Sequence, residues 1–203
     1  VEHIIVYDCD DLQNLNGLQN VGSILNNLGI IKNDMLTDIT ALSHITSVEY
    51  LFIEENRSLE NVEGLNNLTK VAIDLRIVDN PKRIDLRALG KLSTIGDPEI
   101  SNGSNTFGLL IFGNPLLIDF DGLQSLVRIS GGLYIGHNVN LLNFKGLNNL
   151  VEITHDFWFY QNDSLEHIDD LDNLKSIHRD LRIFNNFSIT NLDGLSTLGR
   201  IGS

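Results

Sequence analysis

Residues 108–114 read G-L-L-I-F-G-N, residues 132–138 G-L-Y-I-G-H-N, residues 156–162 D-F-W-F-Y-Q-N and residues 180–186 D-L-R-I-F-N-N. The closing asparagines Asn114, Asn138, Asn162 and Asn186 stand 24 residues apart each time. A fixed period in that range marks a stack of equivalent coils, and it takes precedence over any local reading.

The same register runs to both ends. Going backward, the anchors are Asn80, Asn56, Asn33 and, in the first coil, Cys9, with spacings of 34, 24, 23 and 24 residues. The long gap is one coil plus an insertion at about 96–107, G-D-P-E-I-S-N-G-S-N-T-F, whose turn formers predict a protruding loop, either decoration or a binding element. Apolar residues follow each anchor at plus 3, 6, 9, 12 and 15, as in Leu59, Val62, Leu65, Leu68 and Val71. Arg83 is the lapse, and neighbouring Ile84 is expected to take its place through a local bulge.

This pattern specifies a mainly β solenoid of eight coils forming one domain over 1–203. The L-x-I run alternates with period two, which is a strand with one buried face. The L-x-x-L-x-x-L run has period three, whereas a helix stripe needs alternating three and four spacing. Period three suits extended or 3₁₀-like coil. One coil cannot bury its own apolar face, so successive coils must stack. The anchor asparagines are predicted to form a buried asparagine ladder, because an amide side chain offers two donors and an acceptor to the backbone of a tight corner. Small residues at plus 8 (Gly17, Gly64, Gly122, Gly146 and Gly194, with Ala41 and Ala88) imply close backbone approach or positive φ; Asp170 departs from the rule.

The repeat L-x-I-x-x-N-x-x-L-x-x-L-x-G-L-x-x-L-x-x-I resembles that of receptor L domains, the leucine-rich right-handed solenoids of growth-factor-receptor ectodomains. The phrasing L-R-I-F-N-N-F-S-I-T-N-L-D-G-L-S-T-L-G-R-I is still more similar to L-domain-type arrays of bacterial cell-surface and secreted proteins. The resemblance covers essentially the whole chain and implies a right-handed leucine-rich-repeat fold and an extracellular binding role. It departs from receptor L domains in having one cysteine rather than disulfide-bonded ends.

Composition bounds the function. A net charge of −13 and a pI near 4.6 argue against nucleic-acid or anionic-membrane partners, which call for a basic surface. No apolar stretch reaches the roughly 18 residues needed for membrane insertion. Val1 is not an initiator and no leader is visible, so the expectation is an extracellular or cell-surface chain whose signal peptide has been removed. At Ser203 the sequence halts where a ninth strand is due, leaving that end to a cap or a partner. Of five N-x-S/T sequons, Asn56, Asn162 and Asn186 are anchors expected to be buried, which leaves Asn67 and Asn102 as acceptors.

The residues flanking each inward Leu and Ile must point outward. The first outward row is Ile5, Gly29, Phe52, Arg76, Leu110, Tyr134, Trp158 and Arg182; the second is Tyr7, Ile31, Glu54, Val78, Phe112, Gly136, Tyr160 and Phe184. Stacked about 4.8 Å apart, they predict an exposed patch of Phe112, Tyr134, Trp158, Tyr160 and Phe184, edged by His137, Arg182, Arg76 and Phe52. Such a patch marks an interface with a protein partner or a second copy of the chain. Plain cross-strand packing is the alternative. Aromatic rows also suit sugar rings, which keeps a carbohydrate-binding or carbohydrate-active β-helix as a second reading. As an outward residue, Trp158 is expected to be dispensable for stability.

A polar row at plus 5 (Asn14, Asp38, Asn61, Asp85, Asp119, Asn143, His167, Asn191) is expected to bond its own turns, with calcium binding or acid–base pairs such as Asp119 and Asp121 as the alternative. The six histidines form no H-x-H or H-E-x-x-H pair, and Ser125 sits outside any G-x-S-x-G motif. The reading is a non-enzyme without metal or cofactor.

Overall fold

A computed structural model describes residues 2–82, 84–97, 99 and 108–202. Among them the chain forms thirteen strands: β1 (His3–Tyr7), β2 (Ile24–Ile31), β3 (Ser47–Glu54), β4 (Lys70–Val78), β5 (Thr94–Ile95), β6 (Gly108–Phe112), β7 (Arg128–Ile129), β8 (Gly132–Gly136), β9 (Glu152–Ile153), β10 (Phe157–Tyr160), β11 (Ser176–Ile177), β12 (Leu181–Phe184) and β13 (Arg200–Ile201). Every pairing is parallel, and the chain winds as a β-solenoid of about eight turns. Among the described residues helix is confined to three-residue 3₁₀ turns such as Glu63–Leu65 and Asp193–Leu195. Among the described residues no helix is long and apolar enough to cross a membrane.

Strands β1 to β4 lie one on the next, and at β4 the sheet forks. β5 continues on Lys70 and Val71, and β6 continues on Leu75 to Val78. From there the stack runs as two ribbons, β6-β8-β10-β12 and β5-β7-β9-β11-β13. The extra residues of the long fourth interval leave between β5 and β6, at the fork itself. Most of that insertion, residues 98 and 100–107, lies outside the described residues, as do Asn102 and Arg83. The shortened 23-residue interval is absorbed nearby: β3 pairs with β4 at a shift of 23 up to Val48 and of 24 from Tyr50 onward.

The period-three residues fill the interior. Leu59, Val62, Leu65, Leu68 and Val71 are fully buried, and Ile84 is buried at plus 4 of its coil, where plus 3 is Arg83. In the later coils phenylalanine replaces leucine, and Phe120, Phe144, Phe157 and Phe159 pack as a chain with ring centroids 5.1 to 6.2 Å apart. Of the plus-8 glycines, Gly64, Gly122, Gly146 and Gly194 meet neighbouring backbone, whereas Gly17 in the first coil faces open space. A Cβ on Gly146 (φ +102°) would stand 1.9 Å from the Phe120 carbonyl oxygen. At plus 5, seven of the eight side chains accept the amide two residues on, from Asn14 with Asn16 to Asn191 with Asp193. The plus-5 row is therefore turn chemistry, and only His167 stands outside it.

The anchors hold the corners. Each Oδ1 accepts the backbone N–H of the preceding anchor, from Cys9 N–H on Asn33 (3.2 Å) to Asn162 N–H on Asn186 (3.0 Å). Each Nδ2 donates to a strand carbonyl of the preceding coil, from Val6 O (3.0 Å) to Phe159 O (3.0 Å). Cys9 is exposed, and its thiol donates to Tyr7 O just as Asn33 Nδ2 also donates to Ile31 O. The residue before every anchor has a left-handed backbone: Asp8, Lys32, Glu55, Asp79, Gly113, His137, Gln161 and Asn185, with φ between 52° and 66°. For a non-glycine residue that costs on the order of 1–3 kcal/mol, so the corner persists only where its surroundings over-determine it.

A surface row at plus 11 repeats the device outside: Asn67, Asn149 and Asn173 donate to Ser43, Gln124 and Asn148 carbonyls of the preceding coil. Asn138→Ala should strand the Asn114 N–H and the Ile111 carbonyl and cost about 1–3 kcal/mol. Asn149→Ala, which leaves its carbonyl to water, should change stability by less than about 0.5 kcal/mol. Urea unfolding of the two variants checks this, and equal midpoints would contradict it.

Candidate functional site

Both outward rows assemble as the spacing requires. Tyr134, Trp158 and Arg182 are direct parallel-strand neighbours, and Phe52 pairs with Arg76. Gly136 stands between Phe112 and Tyr160, and Tyr160 pairs with Phe184. The level of exposure differs from the expectation. Only Phe184 and Arg182 are exposed; Phe52, Arg76, Phe112, Tyr134, His137, Trp158 and Tyr160 are half-buried. The physical reason is that the side chains lie down along the stack and cover one another.

In the second row the covering depends on a missing side chain. Gly136 leaves a gap into which Tyr160 and Phe112 lean, so that a Cβ there would meet both rings at 3.0 to 3.2 Å. His137, turned by its left-handed backbone, stands against Phe112 at 4.5 Å and edge-on to Tyr160 at 5.7 Å. Tyr160 then stacks on Phe184 at 4.6 Å and 9°. Four rings from four coils thus form one continuous stripe.

In the first row Tyr134 folds over Gly132 and donates from its hydroxyl to Asp156 at 3.1 Å. Burial, followed by the Asp156 charge, pushes the phenol well above its ordinary pKa. The ring of Trp158 meets Tyr134 at 5.3 Å and 79°. The Arg182 guanidinium lies 4.4 Å from the Trp158 centroid and donates to Asp180 at 2.7 Å. The indole Nε1 is buried without a hydrogen-bond partner.

The sequence D-L-R-I occurs at 74–77 and again at 180–183, and both copies make the same contact. Arg76 donates to Asp74 through Nε (3.0 Å) and Nη2 (2.7 Å) and lies 5.0 Å from the Phe52 centroid. In each case arginine bonds the aspartate two residues upstream and roofs the aromatic ring of the preceding coil. This motif escaped the periodic reading; its signal was the exact recurrence of four residues on the outward face.

Asp74 is only 3% exposed, and its Oδ1 has no hydrogen-bond partner. Burial raises its pKa against the pull of Arg76. Burial likewise raises Glu54 and Asp79; Glu55 adds to both, while Arg76 opposes the shift at Glu54 and His137 at Asp79. These acids border the start of the aromatic stripe. Beside them runs a groove of about 600 Å³, lined by Asp8, Asp10, Asp34, Glu55 and Asp79 against Lys32 and Arg57.

The carboxylates weighed for catalysis have other work. Asp119 caps the Asp121 amide, and Asp121 pairs with Lys145. Among the described residues no group of three His, Cys, Asp or Glu side chains is placed to hold a metal ion.

Half-burial changes the expectation for Trp158. Trp158→Ala should cost about 1–3 kcal/mol through lost packing with Tyr134 and Arg182, read from the urea midpoint; no loss would mean that the ring is not packed in solution. Asp74 yields a pH test. Its native carboxyl takes up a proton at higher pH than the unfolded one, near 3.8, so its contribution to stability grows as pH falls through the raised value. From pH 7 to 4, the stability of wild type relative to Asp74→Asn should therefore move in favour of wild type. Movement the other way would overturn the assignment.

In comparisons with known proteins the chain matches no protein-family model, and no curated protein sequence matches it.

Proposed function

We propose that the chain is a non-catalytic recognition module, at the cell surface or outside the cell, that binds a protein partner through its strand face. The finer architecture belongs to the same proposal: a right-handed, leucine-rich, L-domain-like solenoid whose anchor row is an asparagine ladder. The 24-residue period, the buried amides bonded coil to coil, and Cys9 in an anchor position support it. The observation that carries the binding reading is the unbroken aromatic and arginine surface from Phe112 to Phe184 across β6, β8, β10 and β12. Aromatic residues and arginine supply large contact area at small entropic cost and dominate protein interfaces.

Ring orientation favours protein over sugar. Sugar stacking needs an open ring face. Tyr160 and Phe184 turn their faces toward each other, and Trp158 is roofed by Arg182. What such rings offer solvent is edges and guanidinium, which suit side-chain packing. A carbohydrate-binding role remains the competing proposal, carried by the aromatic content of the rows.

Paired capture from surface extracts tests the reading, with wild type and the double variant Phe184→Ser/Arg182→Ala, both on exposed positions. A protein held by wild type and released by the variant, with the variant still melting in one cooperative transition, is the expected result. Equal capture by both would overturn the strand-face assignment. Micromolar binding on a glycan array, lost in the same variant, would transfer the role to carbohydrate.

A further inference from the structure

The strand face is not uniform in charge, and its two kinds of charged group behave differently. Arg76 and Arg182 are each matched by the aspartate two residues upstream. The cations on the face are therefore already answered from within the chain. Glu54 and Asp79 are not: among the described residues neither forms a salt bridge, and each is crowded by Glu55. Glu54 belongs to the second outward row and Asp79 to the corner just after β4, next to Val78, which pairs with Phe112 and opens the aromatic stripe. Half-buried Glu54 and the exposed carboxylates of Glu55 and Asp79 gather more negative charge than Arg76, His137 and Lys32 offset, and a cation delivered there relieves their repulsion.

We propose that the occupant of this face is a basic segment of another protein, with a lysine or arginine seated against Glu54, Glu55 and Asp79 and an apolar side chain laid along Phe112, Tyr160 and Phe184. The inference rests on the strand-face reading above and adds the chemistry of the partner. Charge complementarity selects that occupant. The chain carries 27 acidic and 14 basic residues, so an approaching basic segment is attracted at long range as well as at contact. A second copy is disfavoured by the same charges, because face-to-face pairing of two chains at −13 each brings like charges together. The acidic groove next to Glu55 and Asp79 extends the negative field beyond the stripe, giving room for more than one cation.

The test is selection of a random twelve-residue phage-displayed peptide library on the immobilised chain, followed by titration of one enriched synthetic peptide. The charge variant is Glu54→Gln/Asp79→Asn, which keeps side-chain shape and leaves an asparagine at the left-handed corner, a residue that tolerates it. Enriched peptides should carry net positive charge and an aromatic or aliphatic residue. Their affinity should fall roughly tenfold in the charge variant and weaken in high salt, as screening of an exposed charge contact requires. The Phe184→Ser variant should also lose binding.

Neutral or acidic peptides that still depend on Phe184 would overturn the basic partner and leave the strand-face reading standing. Peptides indifferent to both variants would overturn both, and an empty selection would count against the basic partner. A dimer in sedimentation velocity that Phe184→Ser dissolves would replace the basic segment with a second copy.

Discussion

Each coil has a corner residue in the left-handed region directly before its anchor, and the anchor of the following coil reaches back to hold it. This dependence of one coil on the next organises the molecule. An isolated corner would relax, since seven of the eight are not glycine and each stores strain. The following asparagine supplies an acceptor for the anchor N–H and a donor for the strand carbonyl just where the chain turns away from its sheet. Strand pairing alone leaves both groups buried and unmatched. Stability is thus passed from neighbour to neighbour, in keeping with the quasi-one-dimensional energetics of stacked repeats.

What could be read from the sequence follows from the same logic. Positions with one job in every coil were legible. Leu165, Ile168 and Leu171 must be apolar, Asn162 must be an amide, and Asn143 must bond its own turn; all are found so placed. The register of the outward rows was legible too, because a one-residue slip would have moved Phe157 and Phe159 from the interior to the surface. Degree of exposure was not. Nothing in the identity of Trp158 says that Arg182 will lie over it, and nothing in Gly136 says that rings from both sides will close above it. Those outcomes depend on side chains one and two coils apart leaning along the stack. The fork at β4 was equally hidden, since the period counts residues and is blind to where a strand bends.

The glycines on the face have a different function from those in the turns. Gly146 is required by backbone: its φ is positive and the Phe120 carbonyl leaves no room. Gly132 and Gly136 are required by neighbours, because Tyr134 occupies the space above one and Tyr160 with Phe112 the space above the other. Removing side chains at these two places lets large rings lie flat and meet across a vacant position, so the aromatic surface is denser than its count of residues implies. The arginines complete it. A guanidinium bonded to the aspartate two residues upstream is positioned before any partner arrives, which lowers the entropic cost of using it in a contact.

The periodic positions and the outward rows obey different rules, and the proposed docking face draws on that contrast. Interior, anchor and turn positions repeat their chemistry coil after coil because stacking requires it. The first outward row runs isoleucine, glycine, phenylalanine, arginine, leucine, tyrosine, tryptophan, arginine, with only arginine recurring. Packing between parallel strands is satisfied by many simpler choices, such as a column of valine or threonine. Aromatic mass lies at β6 to β12, carboxylates gather at β3 and the end of β4, and the arginines at β4 and β12 are each answered by a nearby aspartate. A surface whose chemistry changes along an otherwise uniform scaffold has a direction, so a partner of the proposed kind would meet different groups at its two ends.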